Sequence, residues 1–281
     1  MHCSPTPTGP TESRVRDEAP ELTEIPLHGG TANRGLVVRQ GDTVRRPLRP
    51  TSAATHALLN HLAAVGFDGS PRLLGIDDQD REVLSFIPGQ AVTPPYPAWS
   101  LTDDVLRSVA QLLRRYHQAV DGFDVTAQRW PRVPPAPFDG GLACHNDVNL
   151  DNVIFRDGRA VALIDFDLAS PGSSVWDLAG AVRLWAPMRP NRYIHDDRRG
   201  RTSQRLRTFV RAYGPPDLDA ELLVSALRSN HDWMYQLIEE GAKEGNAGFA
   251  EYWRQAARRI AATRTWYDAA HSELVAALAD D

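Results

Sequence analysis

Leu142-Ala143-Cys144-His145-Asn146-Asp147-Val148-Asn149-Leu150-Asp151-Asn152-Val153-Ile154-Phe155, followed shortly by Ala162-Leu163-Ile164-Asp165-Phe166-Asp167, is the stretch on which the fold turns. The β-forming runs Val153 to Phe155 and Val161 to Ile164 flank Arg156-Asp157-Gly158-Arg159, a turn signal, so they are expected to pair as a hairpin. Asn152, just before the first strand, and Asp165, just after the second, then fall at the same end of that hairpin. An amide oxygen and a carboxylate held together suit Mg²⁺, which takes few protein ligands and completes its shell with phosphate oxygens and water. Asp147, five residues before Asn152, lies across the loop, free to receive a hydroxyl proton.

The order His-x-Asp-x-x-x-x-Asn, a hairpin and then Asp-Phe resembles the catalytic and metal loops of the protein-kinase superfamily. With little chain between Asp165 and Asp177 for a long activation segment, it looks like the aminoglycoside phosphotransferase and choline kinase branch. The resemblance implies an α+β, bilobal, protein-kinase-like fold with a small β-rich N-lobe carrying one helix and a larger, mainly helical C-lobe. It also implies that Asp147 is the catalytic base or alcohol-orienting carboxylate and that Asn152 and Asp165 hold Mg²⁺. His145 becomes a structural support of the loop, and Asp177, in Ser174-Val175-Trp176-Asp177-Leu178-Ala179, a buried brace. Plainer readings stand beside these: Asp147 and Asn152 as turn formers, His145 as a satisfied core histidine, Asp177 as an N-cap for a helix from Leu178. Asp167 either binds metal or caps the following turn.

The nucleotide half is read from the first 89 residues. Short strand candidates at 24–27, 36–39 and 43–46 are divided by Gly-containing turns and form a small meander. Ser52 to Val65 has helical spacing, and a second hairpin is expected around Asp77-Asp78-Gln79-Asp80. The turn His28 to Gly35, with Gly30 at its centre, could cover phosphates with backbone N–H groups. The family resemblance implies a lysine on the third strand, where this chain has Thr43-Val44-Arg45-Arg46. Arg45 or Arg46 would have to replace it, one facing the cleft and the other solvent. The glutamate that the resemblance places on the following helix is absent from Ala53 to Leu58. Leu84-Ser85-Phe86-Ile87-Pro88-Gly89 resembles the family hinge, whose backbone at Ser85 and Ile87 would meet the purine of ATP or GTP; an edge strand leading to a linker is the plainer reading.

For the acceptor, Asp232, Gln236 and Glu239 share one helical face. That face is either a solvated acidic surface or the wall of a cleft that attracts an amine-rich substrate. Asp151 is read either as a loop polar group or as a substrate contact.

The whole chain supports a globular protein. Its 281 residues, 42% hydrophobic and 24% charged, suffice for one large domain or two lobes and exclude global disorder. Organisation is expected as a disordered tail over 1–21, a nucleotide-binding lobe over 22–89 and a catalytic and substrate lobe over 90–281. A net charge of −5 argues against a nucleic-acid partner and suits a cationic one. Lys243 is the only lysine among 31 basic residues, so lysine-dependent roles must pass to arginine. Cys3 and Cys144 cannot build a disulfide framework, and neither a membrane span nor a signal peptide is legible, which implies a cytoplasmic protein. The expectation is an ATP- and Mg²⁺-dependent O-phosphotransferase acting on a small cationic molecule, such as an aminoglycoside or a tuberactinomycin-type cyclic peptide, and conferring resistance. The alternatives are a choline- or homoserine-type metabolite kinase and a nucleotide-binding regulator without turnover.

Overall fold

Antiparallel pairing of short strands builds the smaller lobe. The computed structural model describes residues 23–27, 36–215, 217 and 219–279. Strands β1 (Glu24–Pro26), β2 (Val38–Gln40), β3 (Thr43–Pro47), β4 (Leu73–Ile76) and β5 (Arg81–Ser85) form one sheet in the order β1-β2-β3-β5-β4. Helix α1 (Ser52–Ala64) buries Leu58, Leu59 and Leu62 beneath it. Register in β3 is pinned by Val44 opposite Leu84 and Arg46 opposite Glu82. The expected turn from His28 to Gly35, including Gly30, and the tail over 1–21 lie outside the described residues.

The larger lobe is helical: α2 (Asp103–Ala119), α3 (Ser174–Trp185), α4 (Thr202–Tyr213), α5 (Ala220–Lys243) and α6 (Ala247–Ala279). Thr102 caps α2 by accepting the Val105 N–H, and Asp103 and Asp104 in the first turn complement the helix dipole. The apolar face of α2, from Val105 through Val109 and Leu112 to Tyr116, sits at the centre of the core. Two small sheets lie against it, β6 (Leu142–Cys144) with β9 (Ser170–Gly172) and β7 (Val153–Arg156) with β8 (Arg159–Leu163). In the latter hairpin Asp157 and Gly158 both have positive φ, 51° and 70°, the conformation a two-residue turn needs to follow strand twist.

The chain therefore has the expected bilobal, kinase-like architecture. Contacts between the lobes include Arg46 and Arg49 with Asp167, and the Leu163 N–H donating to the Gly69 carbonyl. Among the described residues no helix is long and apolar enough to cross a membrane.

Candidate active site

The loop from His145 to Asn152 is held from beneath by a buried carboxylate. Asp177 Oδ2 accepts the His145 N–H at 2.8 Å and His117 Nε2 at 3.0 Å, while Oδ1 accepts the Asn146 N–H at 2.8 Å. Helix α3 begins earlier than Leu178 and is capped by Ser173, so Asp177 is left in its first turn to serve the loop. Burial opposes its charge, but the hydrogen bonds from His117 and from the His145 amide outweigh that and hold it below the usual carboxylate range. His117 Nδ1 meets the Tyr213 hydroxyl at 2.7 Å, extending the brace to α4.

Asn146 has φ 65°, a left-handed conformation that asparagine tolerates better than most residues. Its side chain donates to the Leu168 carbonyl and Ser170 hydroxyl, and accepts from the Trp176 indole, each at 2.9 Å. His145 is fully buried; its Nε2 donates to the Ile164 carbonyl at 3.1 Å and its Nδ1 accepts the Asp147 N–H at 3.3 Å. Burial pushes its pKa down, so a neutral ring fits both bonds.

Asn152 and Asp165 fall at the same end of the hairpin as expected, and Asp147, expected across the loop, is hydrogen-bonded to Asn152. Ile164 N–H donates to the Asn152 carbonyl at 2.9 Å, closing the hairpin at that end. The Asn152 amide nitrogen donates to the Asp147 carbonyl at 3.0 Å and to its carboxylate at 2.9 Å, which turns the amide oxygen away from Asp147. Asp165 takes a left-handed φ of 63°, uncommon for a residue other than glycine but one that Asp adopts more readily than most. Although part of Asp147 meets solvent, the surrounding protein desolvates its carboxyl; Asp165 and Asp151 add repulsion, and its pKa is pushed up to about 7.

Those three carboxylates and one amide oxygen are hard donors of the kind a divalent cation takes. Among the described residues no three His, Cys, Asp or Glu gather as a metal cage. Mg²⁺ does not need one, since one or two carboxylates suffice when phosphates and water complete the octahedron. Asp151 has a buried Oδ1 without a hydrogen-bond partner.

Opposite stands Arg46, largely buried on β3. Its guanidinium pairs with Glu82, with Asp165 at 3.0 Å and with Asp167 at 2.9 Å. Burial opposes its charge, but Asp167, Glu82 and Asp165 outweigh that and fix it as a cation. Arg45, its strand neighbour, points the other way and meets Asp77 at 3.2 Å. Strand parity thus settles which arginine faces the cleft. The carboxylate partner missing from α1 is supplied by β5: Glu82 is 1% exposed, and the α1 residue His56 holds its second oxygen at 2.6 Å. Asp167 is engaged by Arg46 and Arg49.

Other expected positions fare differently. The Ser85 N–H donates to the Arg72 carbonyl and its hydroxyl accepts the Arg72 N–H, so that amide belongs to the sheet and does not reach a purine. The Ile87 amide has no backbone partner among the described residues. Asp232 pairs with Arg228 and with Arg264 at 3.1 Å, and Glu239 with Lys243 at 2.9 Å. The acidic face of α5 is therefore neutralised by its own neighbours rather than turned toward Asp147. A broad depression between Arg115, Arg156 and Asp157 lies at the turn end of the β7–β8 hairpin, remote from Asn152 and Asp165.

The order of motifs and this geometry agree with what the chain is similar to. Residues 123–219 match the model of the phosphotransferase enzyme family. The matched family is the one that the motif resembles. A trifolitoxin immunity protein from Rhizobium leguminosarum bv. trifolii is 34% identical over 179 residues, 62% of this chain. That stretch spans 64% of the relative's own length, just under two thirds. Among solved structures, a choline/ethanolamine kinase family protein from Mesorhizobium loti superposes with a TM-score of 0.61 over 91% of this chain and 92% of its own, at 17% identity. An aminoglycoside-3'-phosphotransferase of type VIII superposes with a TM-score of 0.51 over 76% and 94%, at 18% identity. At such identities the structures share the fold.

Proposed function

We propose that this protein transfers the γ-phosphoryl group of ATP to a hydroxyl of a small molecule. The observation that carries the reading is the convergence of Asp147, Asn152 and Asp165 at one end of the hairpin, facing the buried cation Arg46. In this reading Asp147 orients the acceptor alcohol and takes its proton as the alcohol oxygen bonds to the γ-phosphorus and the bond to the bridging oxygen breaks, releasing ADP. Asn152 and Asp165 would hold Mg²⁺, which supplies charge neutralisation for the phosphates when bound. Arg46 anchors the nucleotide phosphates, Glu82 and His56 fix the guanidinium, and Ile87 is the hinge residue whose amide is available to the purine. Positioning and electrostatics then carry the catalysis.

A role in self-protection is supported by the relative named as an immunity protein, which favours a toxin or antibiotic as the acceptor over a housekeeping metabolite. The reading as a regulator without turnover loses its motive, because the ion pair thought missing is present as Arg46 with Glu82. Incubation with ATP, Mg²⁺ and a panel of hydroxyl-bearing antibiotics, peptides and amino alcohols, with mass spectrometry for the added phosphoryl group, tests the reading. A phosphorylated product that disappears in Asp147→Asn is expected; no product from any acceptor, together with no binding of ATP, would reject it.

A further inference from the structure

A small pocket opens among α3 and the loop after it, α5 and α6, and its walls are basic. Arg183, Arg189 and Arg259 line it together with His231, Tyr235 and Tyr267. Helix α3 ties the pocket to the catalytic loop. At its start Asp177 holds the loop amides, and near its end the Trp185 indole donates to the Val148 carbonyl at 2.9 Å. Arg183 stands between them, and its charge is one of those felt by Asp147.

The three guanidinium groups differ from other arginines of this lobe. Arg198 pairs with Asp196, Arg205 with Asp103 and Arg228 with Asp232. Among the described residues, none of Arg183, Arg189 and Arg259 is ion-paired with a carboxylate. Arg183 donates from Nε to the Asn230 amide oxygen at 2.8 Å and lies over the Tyr235 ring. Arg259 donates to the Tyr252 hydroxyl at 2.8 Å. Arg189 Nε is buried without a partner, and so is the hydroxyl of Tyr267, a residue only 2% exposed. Buried donors of this kind are nearly always matched, so two at one pocket point to a ligand acceptor.

The electrostatics agree. Burial, Arg259 and Arg198 push the Arg189 pKa down. Burial would raise the Tyr235 phenol, but Arg183, the Tyr252 hydrogen bond, Arg259 and Arg189 pull it below its usual value. Burial and Arg183 push His231 down to about 4, so His231 contributes no positive charge of its own. The acidic residues on α5 do not cancel this field, since Asp232 is already bound by Arg228 and Arg264.

We propose that this pocket binds a carboxylate carried by the phosphoryl acceptor, so that the preferred substrates are anionic hydroxyl compounds rather than the cationic ones the acidic helix face suggested. The proposal rests on the phosphotransferase reading above. Guanidinium groups pair with carboxylates through charge-assisted, often bidentate bonds, and Asp147, which feels the charge of Arg183, would meet the hydroxyl of the same molecule.

The test uses two matched trios of acceptors: lactate, lactamide and isopropanolamine, and N-acetylserine, N-acetylserinamide and serinol. With ATP and Mg²⁺, the carboxylate of each trio should exceed its amide and its amine in kcat/KM by at least about tenfold. Arg189→Gln and Arg259→Gln should each shrink that ratio toward one, and a thermal melt checks that both variants fold. Preference for the amine, or indifference to charge, overturns the pocket while leaving phosphotransfer standing. A raised ATP KM in Arg259→Gln with an unchanged acceptor ratio assigns the arginines to nucleotide phosphates and also overturns it. With no acceptor turned over, calorimetric binding of N-acetylserine against its amide beside a non-hydrolysable ATP analogue decides: tighter binding of the carboxylate supports the pocket, and equal or absent binding rejects it. Failure to bind ATP at all would instead reject the phosphotransferase reading.

Discussion

Arg46 on β3 and Glu82 on β5 are opposite one another in the sheet and joined by a buried ion pair, with His56 of α1 on the far side of the glutamate. A cross-strand carboxylate therefore holds the cation that reaches Asp165 and Asp167, and the helix contributes an imidazole instead of an acid. Because Glu82 is bound from both sides within one lobe, the arginine is positioned by the sheet itself rather than by a movement of α1. The same guanidinium reaches Asp165 and Asp167, so this one residue joins the sheet of the smaller lobe to the larger lobe.

Removal of that cation should be selective. Arg46→Ala is expected to raise the KM for ATP at least about tenfold, the scale of one lost charge-assisted contact. Arg45→Ala, whose partner is Asp77 on the opposite face, should change it little. Steady-state kinetics in ATP for both variants checks this; equal effects would mean that strand parity does not govern phosphate binding. Glu82→Gln should fall between them, since Asp165 and Asp167 still hold the guanidinium.

Asp147→Asn should lower kcat by at least about 100-fold while leaving the melting temperature and ATP affinity close to wild type. The substitution keeps a side chain of the same size beside Asn152 but cannot take a proton. Single-turnover phosphorylation of a verified acceptor measures the step directly, and near wild-type turnover would remove Asp147 from the chemistry.

Nucleotide binding should lose its dependence on Mg²⁺ in Asp165→Ala, because that change removes the carboxylate at the closed end of the hairpin. Calorimetric titration with ATP, with and without Mg²⁺, reads the effect. Affinity that still responds to the metal would place the cation elsewhere.

Much of the catalytic loop was legible because it is local. A turn signal, two short β runs and the offset from Asp147 to Asn152 fix which side chains meet, and the structure brings them to one end of the hairpin. What was not legible depends on long-range pairing. Glu82 lies 36 residues from Arg46 and reaches it only because β5 inserts between β3 and β4. His117 and Tyr213 join the brace under the loop across 96 residues, and no spacing rule signals that. The acidic face of α5 was visible as a periodicity, yet periodicity does not say whether Arg228, Arg264 and Lys243 are near enough to neutralise it. The Arg183, Arg189 and Arg259 cluster draws on two helices and a loop, and its residues are too far apart in sequence to read as a motif.

The brace at Asp177 yields a prediction that separates stability from chemistry. Its carboxylate accepts two buried backbone N–H groups and His117, so Asp177→Asn leaves at least one donor facing another donor and should destabilise the fold by about 2–4 kcal/mol. For a chain of this size that corresponds to a fall of roughly 4–16 °C in Tm. The pH dependence follows from the direction of its shift. Asp177 is held below its ordinary value in the folded protein, so its contribution is fully present above the unfolded-state value, about 3.9. It is lost as pH falls through the lower, folded-state value. Wild type should therefore lose Tm with acid more steeply than Asp177→Asn below about pH 4, and the two curves should run parallel above about pH 5. Thermal melts from acid to neutral pH measure both limbs. Because Asp177 holds the loop amides and touches no substrate, kcat in the variant should recover toward wild type on cooling well below its Tm, whereas Asp147→Asn should remain slow at every temperature. A variant that stays inactive when fully folded would instead assign Asp177 a part in the reaction itself.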